Sequence, residues 1–486
     1  MNRHSPAILP GFPQRHPLQR LGVGSCLLAA LAVLYLPAHF SFWQLMIGLL
    51  LSLFLIFFFI RRLHFWRNMA FLLGLGLALG PPVTDLYVLF LRGLGAHAYL
   101  SPPSHFVQTN SVLQFSFQLG LSFVLALVAG WMLHPRLPAA PLRGQIRWRI
   151  SWLVWLALII IWFLSLLNYS EFMGGTIFNT LYQSGHNYAF LQTRVSTVIA
   201  NLCLVLLFNC GWPFAGMTRR LIIFILSLFT IFILLIYGNR VDTMFFLVAI
   251  LISFVPDFSM QLKVMVLGLL ILIPFFTFIA VFRLSEAQGL SLHTMAQSAR
   301  KKMLNLPKIG DLGDVTLTTA CAIYGMRANL IQSMHGISYL NYFPRTLPKF
   351  IYKTRPQSDE RIFDEVGLMT NGGLTPVAQA YMNFQNWGPM LMGFFMGWLF
   401  GWLYTLSAKR NDTLGFCFYI LLAASTMRVY FYELFDFYKM AIVFGILVFA
   451  VIWGNRLTGM PGGISQENIG RPYFAGSVPV HPSQSV

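Results

Sequence analysis

Charge is what this chain has least of. Only 10% of its 486 residues are charged, and 15 are acidic against 33 lysines and arginines. A soluble domain carries about 25% charged residues. At 57% hydrophobic and a mean hydropathy of +0.67, the composition places the chain in lipid. The short alternating segments of a β-barrel are missing, and the apolar runs are continuous. Cysteine is scarce. Of Cys26, Cys203, Cys210, Cys321 and Cys417, only Cys321 lies outside an expected span or its edge, so neither a disulfide framework nor a metal quartet is implied. There is no phosphate-binding loop, zinc signature, serine elbow or dinucleotide fingerprint, which argues against ATP-driven work within the chain. The net charge of +18 comes with no basic tail or recognition motif, which argues against nucleic acid.

What the chain does have is a succession of apolar runs about 20 residues long, the length needed to cross a bilayer as a helix. They predict an all-α polytopic membrane protein of about 12 spans. About nine lie in residues 1–282 and about three in 376–456, with a large polar segment at 283–375 and a disordered tail at 457–486. The basic lead and short apolar core of the first run resemble a signal peptide, but no small-x-small cleavage site follows, so it reads as a helix. The third run is expected to be broken at Pro81-Pro82, with Asp85 inside it.

With the N-terminus inside and the spans alternating, Arg61, Arg62, Arg136, Arg143, Arg147, Arg149, Arg219, Arg220, Lys409 and Arg410 all fall inside. The short outer loops hold Arg92, Arg194 and Arg240, with Arg428 and Lys439 at span edges. The positive-inside rule then puts both termini in the cytoplasm and the 283–375 segment outside.

That outer segment carries Glu286, Asp311, Asp314, Asp359, Glu360, Asp364 and Glu365, seven of the 15 acidic residues. A loop of this length without function is uncommon. It is expected to fold and to form the lid and part of the floor of a site. Arg240, in the tight turn Tyr237-Gly238-Asn239-Arg240, and Arg283, at the end of the ninth span, lie on the same side. A cation at a helix end often only snorkels to headgroups. Here, though, it stands where short loops otherwise avoid cations, and arginine forks match phosphate oxygens. Asp242 either pairs with Arg240 or caps a helix.

The run Tyr339 to Arg355 alternates rings, cations and prolines. It reads either as an interfacial anchor or as a platform where Arg345, Lys349 or Arg355 meets a sugar phosphate. His335, just upstream, suits proton transfer near neutral pH. Pro376 opens a helix unusually polar for a span entrance, with Gln379, Tyr381, Asn383 and Gln385. Its N-terminus would offer N–H groups to an anion. Arg428, Glu433 and Asp436 lie in the last outer loop among aromatic residues.

Three features resemble the O-antigen polymerase (Wzy-type repeat-unit polymerase) family. They are Gly238-Asn239-Arg240 opening a span, a large outer segment beginning at Arg283, and a Gly-Gly segment leading into Ala380-Tyr381-Met382-Asn383-Phe384 and Gly388. The layout covers most of the chain. One position departs: Gln379 stands where members commonly carry an acid. The resemblance implies a GT-C-like membrane glycosyltransferase that joins polyprenyl-pyrophosphate-linked oligosaccharides at the outer face of the bacterial inner membrane. Membrane lipids surround it, and a chain-length regulator and a flippase are its expected partners. Arg240, Arg283, Arg345 and Arg428 would bind pyrophosphate. Lys349, Arg355, Tyr381 and Asn383 would bind substrate, and His335, Glu433 or Glu171 would act as base, with no metal and no cofactor. The rival readings are an O-antigen ligase, a flippase or transporter suggested by Asp85, and a scaffold subunit of an export complex.

Overall fold

The computed structural model describes residues 17–36, 41–63, 68–93, 110–134, 150–172, 188–210, 217–236, 240–255, 258–268, 311–346, 356, 359–368, 374–410, 413–431 and 434–458. These residues hold helices and turns and no strand. The first nine helices are α1 (Pro17–Leu34), α2 (Phe42–Arg62), α3 (Met69–Gly93), α4 (Asn110–Met132), α5 (Trp152–Phe172), α6 (Tyr188–Asn209), α7 (Met217–Ile236), α8 (Arg240–Phe254) and α9 (Phe258–Gly268). Within the polar segment lie α10 (Asp311–Arg327) and the short α11 (Ile337–Leu340), α12 (Tyr342–Thr346) and α13 (Asp359–Glu365). The chain then runs through α14 (Pro376–Phe384), a 3-10 turn, α15 (Gly388–Arg410), α16 (Thr413–Phe431) and α17 (Leu434–Leu457). Seven of the described helices, α14 and α15 counting as one, are long and apolar enough to cross a membrane, and five shorter apolar helices accompany them.

The hub is α4. Nearly every residue from Val112 to Met132 is buried, whereas α2 exposes Trp43, Ile47, Leu50, Leu51, Phe54 and Phe57. The apolar stripe of an outer helix faces lipid and that of a central helix faces protein, so burial alone separates the two. α15 packs on α4 more extensively than any other pair of helices. A Cβ at Gly393 would overlap the Phe123 carbonyl, one at Gly397 the Leu127 carbonyl, and one at Gly401 the His134 ring. These glycines let two backbones touch. Because the contacts ascend together in both helices, α4 and α15 run parallel.

Other contacts fix the remaining directions. Gln19 donates to the carbonyls of Met132 and His134 while Gln118 donates to Leu36 O, so α1 opposes α4. Phe71 meets Trp131, and Arg92 donates to Asn110, so α3 also opposes α4. Thr197 pairs with Asp242 and Asn209 with Ser253, so α6 and α8 run parallel. Arg428 reaches Thr197, and the Cys417 thiol faces Val205 O, so α16 opposes α6. Asn168 of α5 bonds Ser196 of α6, while Ser151 before α5 bonds Asn455 near the end of α17. The starts of α4, α6, α8 and α14 and the ends of α3, α5 and α16 therefore all point toward one end, called the upper end, although α16 stops well below the top of α4: Thr426 and Tyr430 lie near Gly74 of α3, and the Tyr430 ring meets Phe123. The start of α1 and the end of α17 share the lower end.

The expected break at Pro81-Pro82 does not occur: α3 is one helix from Met69 to Gly93. Two prolines remove two N–H donors, and in a membrane helix neighbouring side chains can offset that loss. Here Thr84 Oγ1 bonds Gly80 O at 2.8 Å, and the Pro82 ring lies against Gly120 of α4. Asp85 is buried beside Ser116 in an unbroken helix.

Candidate functional site

Two polar clusters are buried in the bundle, one about half-way up α4 and one near its upper end. The first joins α6, α8 and α16. Arg428 Nε donates to Asp242 Oδ1 at 2.6 Å, and a second guanidinium nitrogen is in contact with the same carboxylate oxygen. Thr197 Oγ1 donates to Asp242 Oδ2 at 2.5 Å. Arg428 and Asp242 are 3% and 0% exposed. A buried guanidinium needs such a partner, because an unpaired charge away from water costs several kcal/mol. Asp242 thus pairs with Arg428 of a distant helix, a partner the sequence did not suggest. Arg240 is the first residue of α8, two positions before Asp242, and its side chain lies outside the described residues.

The second cluster is built around α14. Thr375 caps this helix, accepting from Ala378 N at 3.1 Å, and Pro376 fills its first turn, where a missing N–H costs nothing. The cap is buried against Thr318 and Thr319 of α10. The helix N-terminus is therefore satisfied by protein and is not the open anion site expected from the sequence. Further along, Gln379 is wholly buried. Its Nε2 donates to Asp359 Oδ2 at 2.7 Å, and its Oε1 accepts from Tyr342 OH at 2.7 Å. Asn383 Nδ2 donates to Ser338 Oγ at 2.6 Å and to Gln379 O at 2.8 Å, while Gly336 N donates to Asn383 Oδ1 at 3.0 Å. Three short pieces of the polar segment, at 336–338, 342 and 359, thereby close on one helix.

Burial raises the Asp359 carboxyl above its ordinary value; hydrogen bonding from Gln379, the charge of Arg345 and Ser338 partly oppose the rise. Arg345 itself is buried, with its guanidinium carbon 6.0 Å from the Tyr342 ring centroid.

The platform expected over 339–355 is partly spent on packing. Tyr339 stacks on Phe384 and meets Tyr342 edge-on, whereas Ile337, Leu340 and Phe343 are exposed. His335 is exposed too, with φ at 46°. It precedes Gly336, at φ 86°, where the chain turns onto Asn383. A β-carbon is strained in that left-handed region.

Of the residues singled out in sequence, His335, Arg345, Tyr381 and Asn383 gather around α14, and Arg428 sits with Asp242. The backbones of Arg240 and Glu171 lie at helix ends on the upper side, but their side chains, like the whole of Arg283, Lys349, Arg355 and Glu433, fall outside the described residues. Asp359, Ser338 and Tyr342 were missed: nothing in local spacing pairs them with Gln379. Arg327 was missed too. Its guanidinium carbon lies 4.9 Å from the Phe115 ring centroid, and the Phe115 ring in turn meets Tyr381 edge-on. Among the described residues, no group of three or more His, Cys, Asp or Glu side chains is placed to hold a metal ion. Compared with family models, with characterised proteins and with solved structures, the chain matches none.

Proposed function

We propose that this chain polymerises polyprenyl-pyrophosphate-linked oligosaccharide repeat units into a surface polysaccharide, as an integral glycosyltransferase of a bacterial inner membrane. The observation that carries the reading is the closure of Ser338, Tyr342 and Asp359 onto Gln379 and Asn383. Part of the long polar segment is thereby tied to the entrance of a membrane helix, on the side toward which α8 and α16 also present the Asp242–Arg428 pair. In this reading the chain crosses the membrane about twelve times. The upper end faces outward, and both termini are cytoplasmic, in accord with the distribution of basic residues and with the alternating helix directions.

The chemistry asks little beyond placed charge. The acceptor sugar hydroxyl attacks the anomeric carbon of the donor glycan, and a new C–O bond forms as the C–O bond to polyprenyl pyrophosphate breaks. The leaving group carries away the electron pair, and its developing negative charge is stabilised by fixed cations. Arg240, Arg283 and Arg345 would supply them. Arg428 would act by holding α8 through Asp242. The hydroxyl proton passes to a base, for which His335, Glu171 and Glu433 are the candidates; His335 is exposed, next to the Gly336 that bonds Asn383. The carboxylate that position 379 lacks relative to the resembled family stands against it in space, as Asp359.

The test is the glycan ladder of cells in which Arg240→Ala or Arg283→Ala replaces the parent at matched membrane levels. Collapse to a single repeat unit still joined to its final acceptor is expected. A full ladder from both variants would remove these arginines from the site. Loss of all surface glycan, the single unit included, would favour ligase or flippase activity instead.

A further inference from the structure

The pair α11–α12 is inside out for a surface in water. Asn341 has helical backbone angles between the two, and Arg345 N bonds Asn341 O at 3.1 Å, so 337–346 wind as one short helical stretch. Its inward face is polar. Ser338, Tyr342 and Arg345 are buried, and the first two are bonded to Asn383 and Gln379 of α14. Its outward face is apolar. Ile337, Leu340 and Phe343 recur every third residue, on one side of a helix, and are 56%, 74% and 65% exposed. Every other residue from 336 to 345 is buried or partly buried.

A helix resting on a protein in water turns its apolar stripe inward and its polar groups outward. The opposite arrangement is favoured where the outside is hydrocarbon. Single apolar side chains on a surface are ordinary, but these are not single. Tyr339 stacks on Phe384, and the Phe384 ring lies against Gly336. Phe384 and Trp387 are exposed, and Trp387 meets the exposed Tyr35, just past the end of α1, with ring centroids 5.8 Å apart. From Trp387 the exposed apolar surface continues down α15 through Leu391, Phe395, Trp398 and Trp402, and α15 belongs to a helix apolar enough to span. The outward face of α11–α12 therefore joins the lipid-facing side of α15 where α1 ends and α15 begins. Tyrosine and tryptophan gather at that level, as they do between acyl chains and headgroups.

We propose that α11–α12 is an interfacial helix, with Ile337, Leu340 and Phe343 inserted among lipid acyl chains at the upper edge of the bilayer. The inference rests on the membrane spans and stands or falls independently of the polymerase reading. It gives this part of the polar segment two holds, hydrogen bonds to α14 on one side and lipid on the other. His335, two residues before Ile337, is thereby kept near headgroup depth.

The experiment uses the full chain in lipid nanodiscs, with a nitroxide attached at Leu340→Cys or, in a second sample, at Phe343→Cys. All five native cysteines are buried, so the label reports the introduced thiol. Oxygen concentrates among acyl chains, whereas a nickel chelate stays in water. Relaxation by oxygen should dominate at both positions, as at a label on Phe395→Cys, the reference on the exposed side of α15. Relaxation mainly by the nickel chelate would place the face in water, and weak relaxation by both would mean that protein covers it; either result overturns the inference. Leu340→Gln combined with Phe343→Gln gives an independent reading. The unfolding temperature in nanodiscs should fall, because two amides would enter hydrocarbon. An unchanged or higher value would mean that the face meets water, and would also overturn the inference.

Discussion

Asp359 is an acid in a place that prefers it neutral. Its folded carboxyl is raised above the ordinary 3.8 by burial, so the folded state favours the protonated form more than the unfolded chain does. The contribution is fully present below the unfolded value and is lost as pH rises through the folded one. Asp359→Asn removes this dependence. The variant should gain stability relative to the parent as pH rises above the ordinary 3.8, and thermal unfolding of both over a pH series that starts below 3.8 would show it. A difference that stays constant over the whole series would deny the upward shift. All five cysteines are buried, so a thiol-reactive dye reports unfolding directly.

The Arg428–Asp242 pair makes the opposite prediction. Removing one partner of a buried pair costs about 3–5 kcal/mol, while replacing both by apolar groups of similar volume is often neutral. Arg428→Ala should destabilise strongly, and Arg428→Met with Asp242→Leu should recover much of the loss. A double variant as unstable as the single would mean that further partners hold Asp242. At this scale the sequence was a partial guide. His335, Arg345, Tyr381 and Asn383 stood out as polar groups near a span entrance, and they do gather. Asp359 did not, because its partner lies 20 positions on, across a stretch with no period to read.

Among the elements, α4 and α15 are the sharpest case. The spacing Gly393, Gly397 and Gly401 is legible as a packing stripe, but which helix it meets is not, since glycine marks close approach without naming the neighbour. Gly397→Leu would drive a side chain into the Leu127 carbonyl. Overpacking typically costs 1–3 kcal/mol, and here the obstacle is backbone, which yields less than a side chain. The expected outcome is a large drop in folded yield and unfolding temperature. By contrast, Gly445→Leu, where nothing lies within 4 Å, should fold as the parent does. Equal behaviour of the two would disprove the tight crossing. The double proline misled for a related reason: local rules count the lost N–H groups, and the compensating contacts come from Gly120, 38 positions away by chain number, and from Thr84 beside them. With α3 unbroken, Asp85 loses the discontinuous helix that had suggested transport.

For the whole molecule, membrane residence was plain from composition, because so little charge leaves an aqueous surface unsupplied. The number of crossings was less legible, since α5, α6, α7, α8 and α9 are each shorter as continuous apolar helices than the longest spans. Helix directions supply what hydropathy lacks. Alkaline phosphatase, active only outside the cytoplasm, should be active when fused within 94–109 or 347–355 and silent within 64–67 or 135–149. The reverse pattern would invert the orientation and place the polar segment in the cytoplasm.

The parallel pair also has a consequence for how the protein is made. His134 Nε2 lies 2.8 Å from Trp398 O, 264 residues further along. α4 therefore leaves the ribosome long before the helix that covers it, and must wait in the bilayer with its glycine-matched face against lipid. The centre of the bundle assembles only after the polar segment has been synthesised, so biogenesis ends with a docking step. Two halves expressed separately, cut within residues 269–310, should then find each other in the membrane and copurify.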